Sequence, residues 1–182
     1  KIGTGCDIGP SSRIVDSSVG DGSTVMFAVV LGSKLGKQTS VGPYARLRPG
    51  CELATGARAG AFVDLKAAKI GRGSKVAHLA YIGDAVIGAD VNVGAGAVTV
   101  NYDGYKKQVT TIRDGARVGS DTMLIAPITV GKDASTGAGS VITKDVPAGS
   151  LAVERGEQRN IPGYRKRKDA ERRGRGKGEG GH

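Results

Sequence analysis

Tryptophan is absent from this 182-residue chain, aromatic residues make up 4% of it, and histidine and cysteine occur only twice each. A core without large aromatic plugs must be filled by Val, Ile, Leu and Ala, which calls for narrow, regular layers. Cys6 and Cys51 offer neither a disulfide framework nor metal-ligand spacing, which suits a reducing cytosol. His78 and His182 cannot supply a three-histidine zinc site. No apolar run approaches the roughly 20 residues that span a bilayer, and no signal-peptide pattern is visible, so a cytoplasmic protein without a membrane partner is expected. Nucleotide motifs are missing too. In Gly32-Ser33-Lys34-Leu35-Gly36-Lys37-Gln38 the glycines stand one residue too close for a P-loop, and Gln38 occupies the Ser/Thr position. Gly94-Ala95-Gly96 lacks the third glycine of a dinucleotide fingerprint.

What the chain has instead is glycine, 31 residues of it, and a repeat. Aliphatic residues recur every six positions at Ile2, Ile8 and Ile14, then at Leu35, Val41, Leu47, Leu53, Ala59 and Leu65. After one-residue slips the series continues through Ile70, Val76, Ile82, Ile87 and Val93, and later through Ile112, Val118, Leu124, Val130, Thr136 and Ile142. Twelve times an Ile, Val or Leu at or near such a position is followed directly by Gly. A helix of 3.6 residues per turn cannot hold a six-residue period on one face. Short strands joined by bends can: the aliphatic residue points inward and glycine tolerates a corner or a close neighbouring chain. Three such units make one triangular turn, and successive turns pair in parallel. The expected fold is therefore all-β, a parallel β-helix over residues 1–154.

Residues 101–111, Asn-Tyr-Asp-Gly-Tyr-Lys-Lys-Gln-Val-Thr-Thr, break the interval and are expected to project as a loop, a usual place for function on a rigid scaffold. Asp145-Val146-Pro147-Ala148-Gly149 stops the coil, with a short returning segment around Leu151-Ala152-Val153. Of the formal net charge of +10, about six units fall after Glu154, so residues 155–182 read as an arm and a basic, mobile tail. No RNP-like aromatic pattern or zinc knuckle accompanies those charges, so a solvated terminus is preferred over a nucleic-acid partner. The series is already running at Ile2-Gly3, behind an initial Lys, which reads as part of a longer or processed protein.

Three side chains off the ladder invite chemistry. Arg48 and Lys66 each follow an inward leucine and lie 18 positions apart, one full turn of three hexapeptides. They should stack on one face, either as a phosphate-binding pair or as two separately solvated charges. His78 lies two residues after the inward Val76, on a side or corner, where an exposed structural histidine is the plainer reading of the residue alone. Flat sides with many Gly and Ala positions make self-association reasonable.

These blocks resemble a known family. The repeat is similar to that of the hexapeptide acyltransferases, which are left-handed parallel β-helices and usually trimers. More narrowly, residues 1–164 resemble the C-terminal part of bacterial bifunctional N-acetylglucosamine-1-phosphate uridylyltransferase/glucosamine-1-phosphate acetyltransferases. The likeness rests on Val41-Gly42-Pro43-Tyr44-Ala45-Arg46-Leu47-Arg48-Pro49-Gly50, on residues 75–84 and 92–104, and on Val118-Gly119-Ser120-Asp121-Thr122. The Asn101-Tyr102-Asp103-Gly104 loop is its most discriminating element. The N-terminal uridylyltransferase domain of such enzymes is expected to be absent.

The resemblance implies transfer of acetyl from acetyl-CoA, a co-substrate, to the 2-amino group of glucosamine 1-phosphate, without a metal, on the route to UDP-N-acetylglucosamine and bacterial cell-wall precursors. It implies that His78 is the general base, an imidazole being suited to deprotonating an ammonium near neutrality. Arg48, Lys66, Tyr81, Asn92 and Lys107 then hold the sugar phosphate, and Ala95, Asn101, Tyr102, Ser120, Ala138 and Arg155 surround acetyl-CoA. The site would lie between subunits of a homotrimer. Two departures are visible: Asp64 stands where relatives commonly have Glu, and Ala80 replaces a common Thr. A hexapeptide acyltransferase with a different amine or hydroxyl acceptor is the alternative.

Overall fold

A computed structural model of the chain describes residues 1–175. Strands of two to four residues follow one another around a triangular coil, and every third strand joins the same sheet, except that the last, Leu151–Ala152, joins the sheet of Ser135–Thr136 two strands after it. Sheet I holds nine strands, from Asp7–Ile8 to Leu151–Ala152; sheet II holds eight, from Arg13–Val15 to Val141–Ile142; sheet III holds seven, from Ser18–Val19 to Ile128–Val130. All pairs of named strands are parallel, as expected for a β-helix; an isolated antiparallel bridge, Tyr102 with Lys107, lies in the insertion. In sheet I, Thr24 pairs with Ser40, Ser40 with Arg58 and Arg58 with Lys75, so successive coils take 16, 18 and 17 residues.

Inside, the aliphatic ladder from Leu35 to Ile142 is buried at every expected position. Thr136, its one polar member, is accommodated because its hydroxyl accepts the Gly119 N–H at 3.0 Å. Two corrections apply at the start of the chain. Ile2 and Ile8 are exposed, lying in the first coil of the described residues, which packs against only one other described coil. Val19, Val25 and Val30 complete the ladder between Ile14 and Leu35, at five- and six-residue steps that a fixed interval passes over.

Glycines lie where coils come closest. A Cβ on Gly94 would stand 2.5 Å from the Ser120 nitrogen, and one on Gly119 would stand 2.6 Å from the Ala138 nitrogen. Both neighbours are backbone and cannot retreat without breaking the ladder. The corners also take left-handed residues that carry side chains. Between sheets I and II, Phe27, Tyr44, Phe62 and Leu79 all have φ between 46° and 58°. The three rings form a column, half-buried at Phe27 and exposed at Tyr44 and Phe62, with centroids 5.5 Å apart for Phe27 and Tyr44 and 5.2 Å apart for Tyr44 and Phe62.

The interruption comes between Val98–Val100 and Thr110–Ile112. It is shorter than the expected 101–111 loop, since Thr110 and Thr111 already pair with Ala85 and Val86. The tail differs more. Tyr164–Arg175 is an α-helix where no regular element was expected. Good helix formers and the Arg165–Asp169 and Lys168–Glu171 pairs, at 3.3 and 2.9 Å, favour it despite the lack of an apolar face. Residues 176–182 of the expected tail lie outside the described residues. Among the described residues no helix is long and apolar enough to cross a membrane.

Leu65 is fully buried between Leu47 and Ile82 in sheet II. Leu65→Ala is expected to destabilise the coil by about 2–5 kcal/mol, read as a lower urea midpoint. An unchanged midpoint would contradict the stacked-ladder core.

Candidate active site

The corner between sheets II and III gathers charge. Register places Arg46 against Asp64 and Leu47 against Leu65, so Arg48 and Lys66 stand in line one coil apart, as their spacing predicts. The structure differs from the sequence-based picture in how their repulsion is met. Each cation has its own carboxylate. Arg48 makes a two-pronged contact with Asp64, Nε to Oδ1 at 2.9 Å and a second guanidinium nitrogen to Oδ2. Lys66 Nζ donates to Asp84 Oδ2 at 2.8 Å. The shorter Asp64 therefore still reaches its arginine. Ala80, the other departure, lies within the core.

Asp84 joins this cluster to the loop. Its Oδ2 also accepts the side-chain N–H of Asn101. Burial pushes the Asp84 carboxyl up, but the hydrogen bonds from Lys66 and Asn101, with the charges of Lys66 and Lys107, outweigh it and hold it below its ordinary value. Hydrogen bonding to Asp84 raises Lys66 against the opposing effect of its own desolvation. The hydrogen bond to Asp64 likewise raises Arg48. Tyr81 completes the corner: the Arg48 guanidinium lies 6.0 Å from its ring centroid, and its hydroxyl crosses Gly83, leaving no room there for a Cβ. Arg48, Lys66, Tyr81, Asn101 and Lys107 are thus brought together. Asp84 was missed, although it follows Lys66 by the same 18 residues that separate Lys66 from Arg48.

A second group lies around the corner between sheets I and II. His78 ends the strand Lys75–His78, opposite Ala61, with its side chain exposed. Asn92 is exposed on the next strand of sheet I, in register with Lys75 and Arg117. Ala95, Ser120 and Ala138 follow one per coil: the Ala95 carbonyl accepts the Asp121 N–H and the Ser120 carbonyl accepts the Gly139 N–H, both at 2.8 Å. Arg155 closes this row by donating to the Ala138 carbonyl at 3.0 Å. Among the described residues the N–H groups of Ala95, Ser120 and Ala138 donate to no protein acceptor. No hydrogen bond or ion pair of the described residues links His78 to the cation corner, so one chain holds the expected residues as two separate groups.

The loop at the cation corner is ordered by its own carboxylate. Asp103 Oδ1 accepts the N–H groups of Tyr105 and Lys106 at 2.9 and 2.8 Å, and Oδ2 accepts Gln108 Nε2 at 3.1 Å. These bonds lower the Asp103 carboxyl to about 2. Tyr102 is exposed, and its hydroxyl donates to the Gly104 carbonyl at 2.6 Å.

The chain has curated relatives over most of its length. Over 154 residues the chain is 58% identical to the bifunctional protein GlmU of Heliobacterium modesticaldum, covering 85% of this chain and 34% of that protein. It is 52% identical to GlmU of Carboxydothermus hydrogenoformans over 163 residues, covering 90% and 36%, and 53% identical to that of Streptomyces coelicolor over 167 residues, covering 92% and 35%. The chain spans about a third of the length of these relatives and matches their C-terminal part. No protein-family model matches it. Among solved structures, the acetyltransferase domain of PglB from Neisseria gonorrhoeae, in complex with acetyl coenzyme A, superposes with a TM-score of 0.57 at 25% identity, over 63% of this chain and 54% of that one. Arabidopsis UDP-N-acetylglucosamine acyltransferase shares the fold, with a TM-score of 0.60 at 18% identity over 92% and 66%.

The Asp103 carboxyl is expected to titrate near 2 in the folded chain, below the ordinary 3.8, as followed by side-chain carboxyl NMR. Because the folded value is depressed, the ordering it gives the loop is complete above the ordinary value and is lost as pH falls through about 2. A midpoint at the ordinary value would contradict the hydrogen-bonded turn.

Proposed function

We propose that this chain is the acetyltransferase part of a GlmU-type bifunctional protein and moves acetyl from acetyl-CoA to the 2-amino group of glucosamine 1-phosphate. The observation that carries this reading is the corner where Arg48, Lys66, Tyr81 and Lys107 converge from successive coils and the intervening loop. Such a corner suits a phosphate dianion, which accepts several charge-assisted hydrogen bonds at once. The 48–58% identity to GlmU proteins over most of the chain supports the same acceptor. The row of Ala95, Ser120, Ala138 and Arg155 suits a long, thin co-substrate lying along the coil axis. An acetyl-CoA complex of a structural relative supports that assignment.

In this reading the His78 imidazole takes a proton from the glucosamine ammonium, and the freed amine attacks the thioester carbonyl. The carbonyl oxygen gains the negative charge and is met by the unengaged Ala95 N–H. Collapse of the tetrahedral adduct breaks the carbon–sulfur bond; the departing thiolate takes the proton from the imidazolium, and the former amine nitrogen gives up its second proton to water, leaving the neutral amide and free CoA thiol. Asn92 contacts the sugar, and Asn101 and Tyr102 contact acetyl-CoA. A homotrimer in the cytoplasm is part of the proposal. Its support is the line of Tyr44, Phe62 and Leu79, exposed at successive corners with Phe27 half-buried at its end, an apolar strip that an adjoining copy would cover, and the separation of the two residue groups on one chain. An adjoining copy brings His78 of one chain towards the cation corner of the next.

The test is release of thiol from acetyl-CoA, dependent on glucosamine 1-phosphate. His78→Ala is expected to lower kcat by about 10²–10⁴, the usual range for a lost general base, with little change in KM. No turnover by the assembled wild-type protein would refute the activity, and full activity in His78→Ala would refute the base.

A further inference from the structure

Asp84 makes contacts that none of the roles above uses. It occupies the corner between Tyr81–Gly83 and Ala85–Ile87 with a φ of 46°. Its N–H donates to the Lys66 carbonyl at 2.8 Å, and its own carbonyl accepts the Thr110 N–H at 3.2 Å. Its side-chain Oδ2 accepts from Lys66 Nζ and from Asn101 Nδ2. Asn101 is the first residue of the insertion, and Thr110 begins the strand that ends it. One residue therefore holds both ends of the loop and the cation of the preceding coil. The carboxylate is well shielded, at 17% side-chain exposure, so water competes weakly for these bonds.

We propose that Asp84 is a positioning residue: it clamps the 101–109 loop at entry and exit and, through the same carboxylate oxygen, fixes Lys66. The coupling rests on the assignment of Lys66 to the sugar phosphate and of Asn101 and Tyr102 to acetyl-CoA. Asp84 then ties the two substrate subsites together without touching either substrate. The consequence is specific. Loss of Lys66 alone disturbs sugar-phosphate binding, whereas loss of the Asp84 carboxylate disturbs both substrates, because the loop and the cation move free together.

Asp84→Ala is a fair test of this clamp. Ala67, at the preceding corner of the same line, already adopts a φ of 45° as an alanine, so the substitution fits the coil. Asp84→Asn, which keeps the shape and removes the charge, is the second variant. Two measurements are made on the full chain. In the first, amide hydrogen exchange of residues 102–109 is expected to speed up on the order of tenfold or more in Asp84→Ala, as befits one lost charge-assisted hydrogen bond, while exchange at Leu65 and Ile82 stays unchanged. Unchanged loop exchange in both variants would overturn the clamp, whether or not the chain proves to be an acetyltransferase. In the second, the KM values for glucosamine 1-phosphate and acetyl-CoA are both expected to rise on the order of tenfold in Asp84→Ala, against a rise for the sugar phosphate alone in Lys66→Met. A rise confined to one substrate in Asp84→Ala would overturn the coupling. Absence of turnover in the wild type would instead refute the proposed function and leave the exchange result to decide the clamp.

Discussion

Everything on this molecule's surface depends on one constraint: each coil must lie in parallel register on the one before it. The inward ladder of Val, Ile, Leu and Ala satisfies that constraint by volume, since a narrow triangular interior accepts small aliphatic chains and little else. The glycines satisfy it by clearance, as at Gly94 and Gly119, where the next backbone leaves no space for a Cβ. Once register is fixed, residues 16 to 18 positions apart become neighbours on the outer face. Sequence distance is thereby converted into short, repeatable spatial distance. Both candidate groups arise this way: cations from successive coils at one corner, and unengaged backbone N–H groups from successive coils at another.

The insertion is where that regularity stops. Asn92 pairs with Arg117, so this coil takes 25 residues. A loop on a parallel β-helix meets no ladder to stabilise it, and here local hydrogen bonds take over. Asp103 orders the turn from within, and Asp84 holds its ends from the coil below. Carboxylates thus do at the interruption what aliphatic side chains do in the interior. The arrangement also puts two negative charges beside Arg48 and Lys66, which fixes the orientation of both cations.

The repeat was legible because it is imposed by the core, and the core tolerates no drift over several coils. From Leu35 to Ile142 every position read from spacing is buried, while Thr99, the inward residue of its strand beside Leu124, was passed over because the insertion that follows breaks the count. Val19, Val25 and Val30 were passed over because five-residue steps are mixed with six-residue ones between Ile14 and Leu35, and Ile2 and Ile8, read as core from the same interval, are exposed in the first described coil. The stacking of Arg48 on Lys66 followed from the same interval. Their carboxylate partners did not, because Asp64 reaches Arg48 by an offset between neighbouring strands and Asp84 reaches Lys66 from a corner with unusual φ. The terminal helix escaped because its support comes from intrahelical pairs and propensity rather than from an apolar face. The roles of His78, Asn92 and the acetyl-CoA row came from resemblance alone; spacing says where these residues stand and not what they touch.

The central claim is that coil register builds a phosphate site, and it is tested most directly by the acceptor's phosphate. The measurement is kcat/KM for glucosamine 1-phosphate against plain glucosamine at fixed acetyl-CoA. With several charge-assisted hydrogen bonds lost together, the account predicts a preference for the phosphorylated sugar on the order of 10² or more. Equal values for the two acceptors would contradict it.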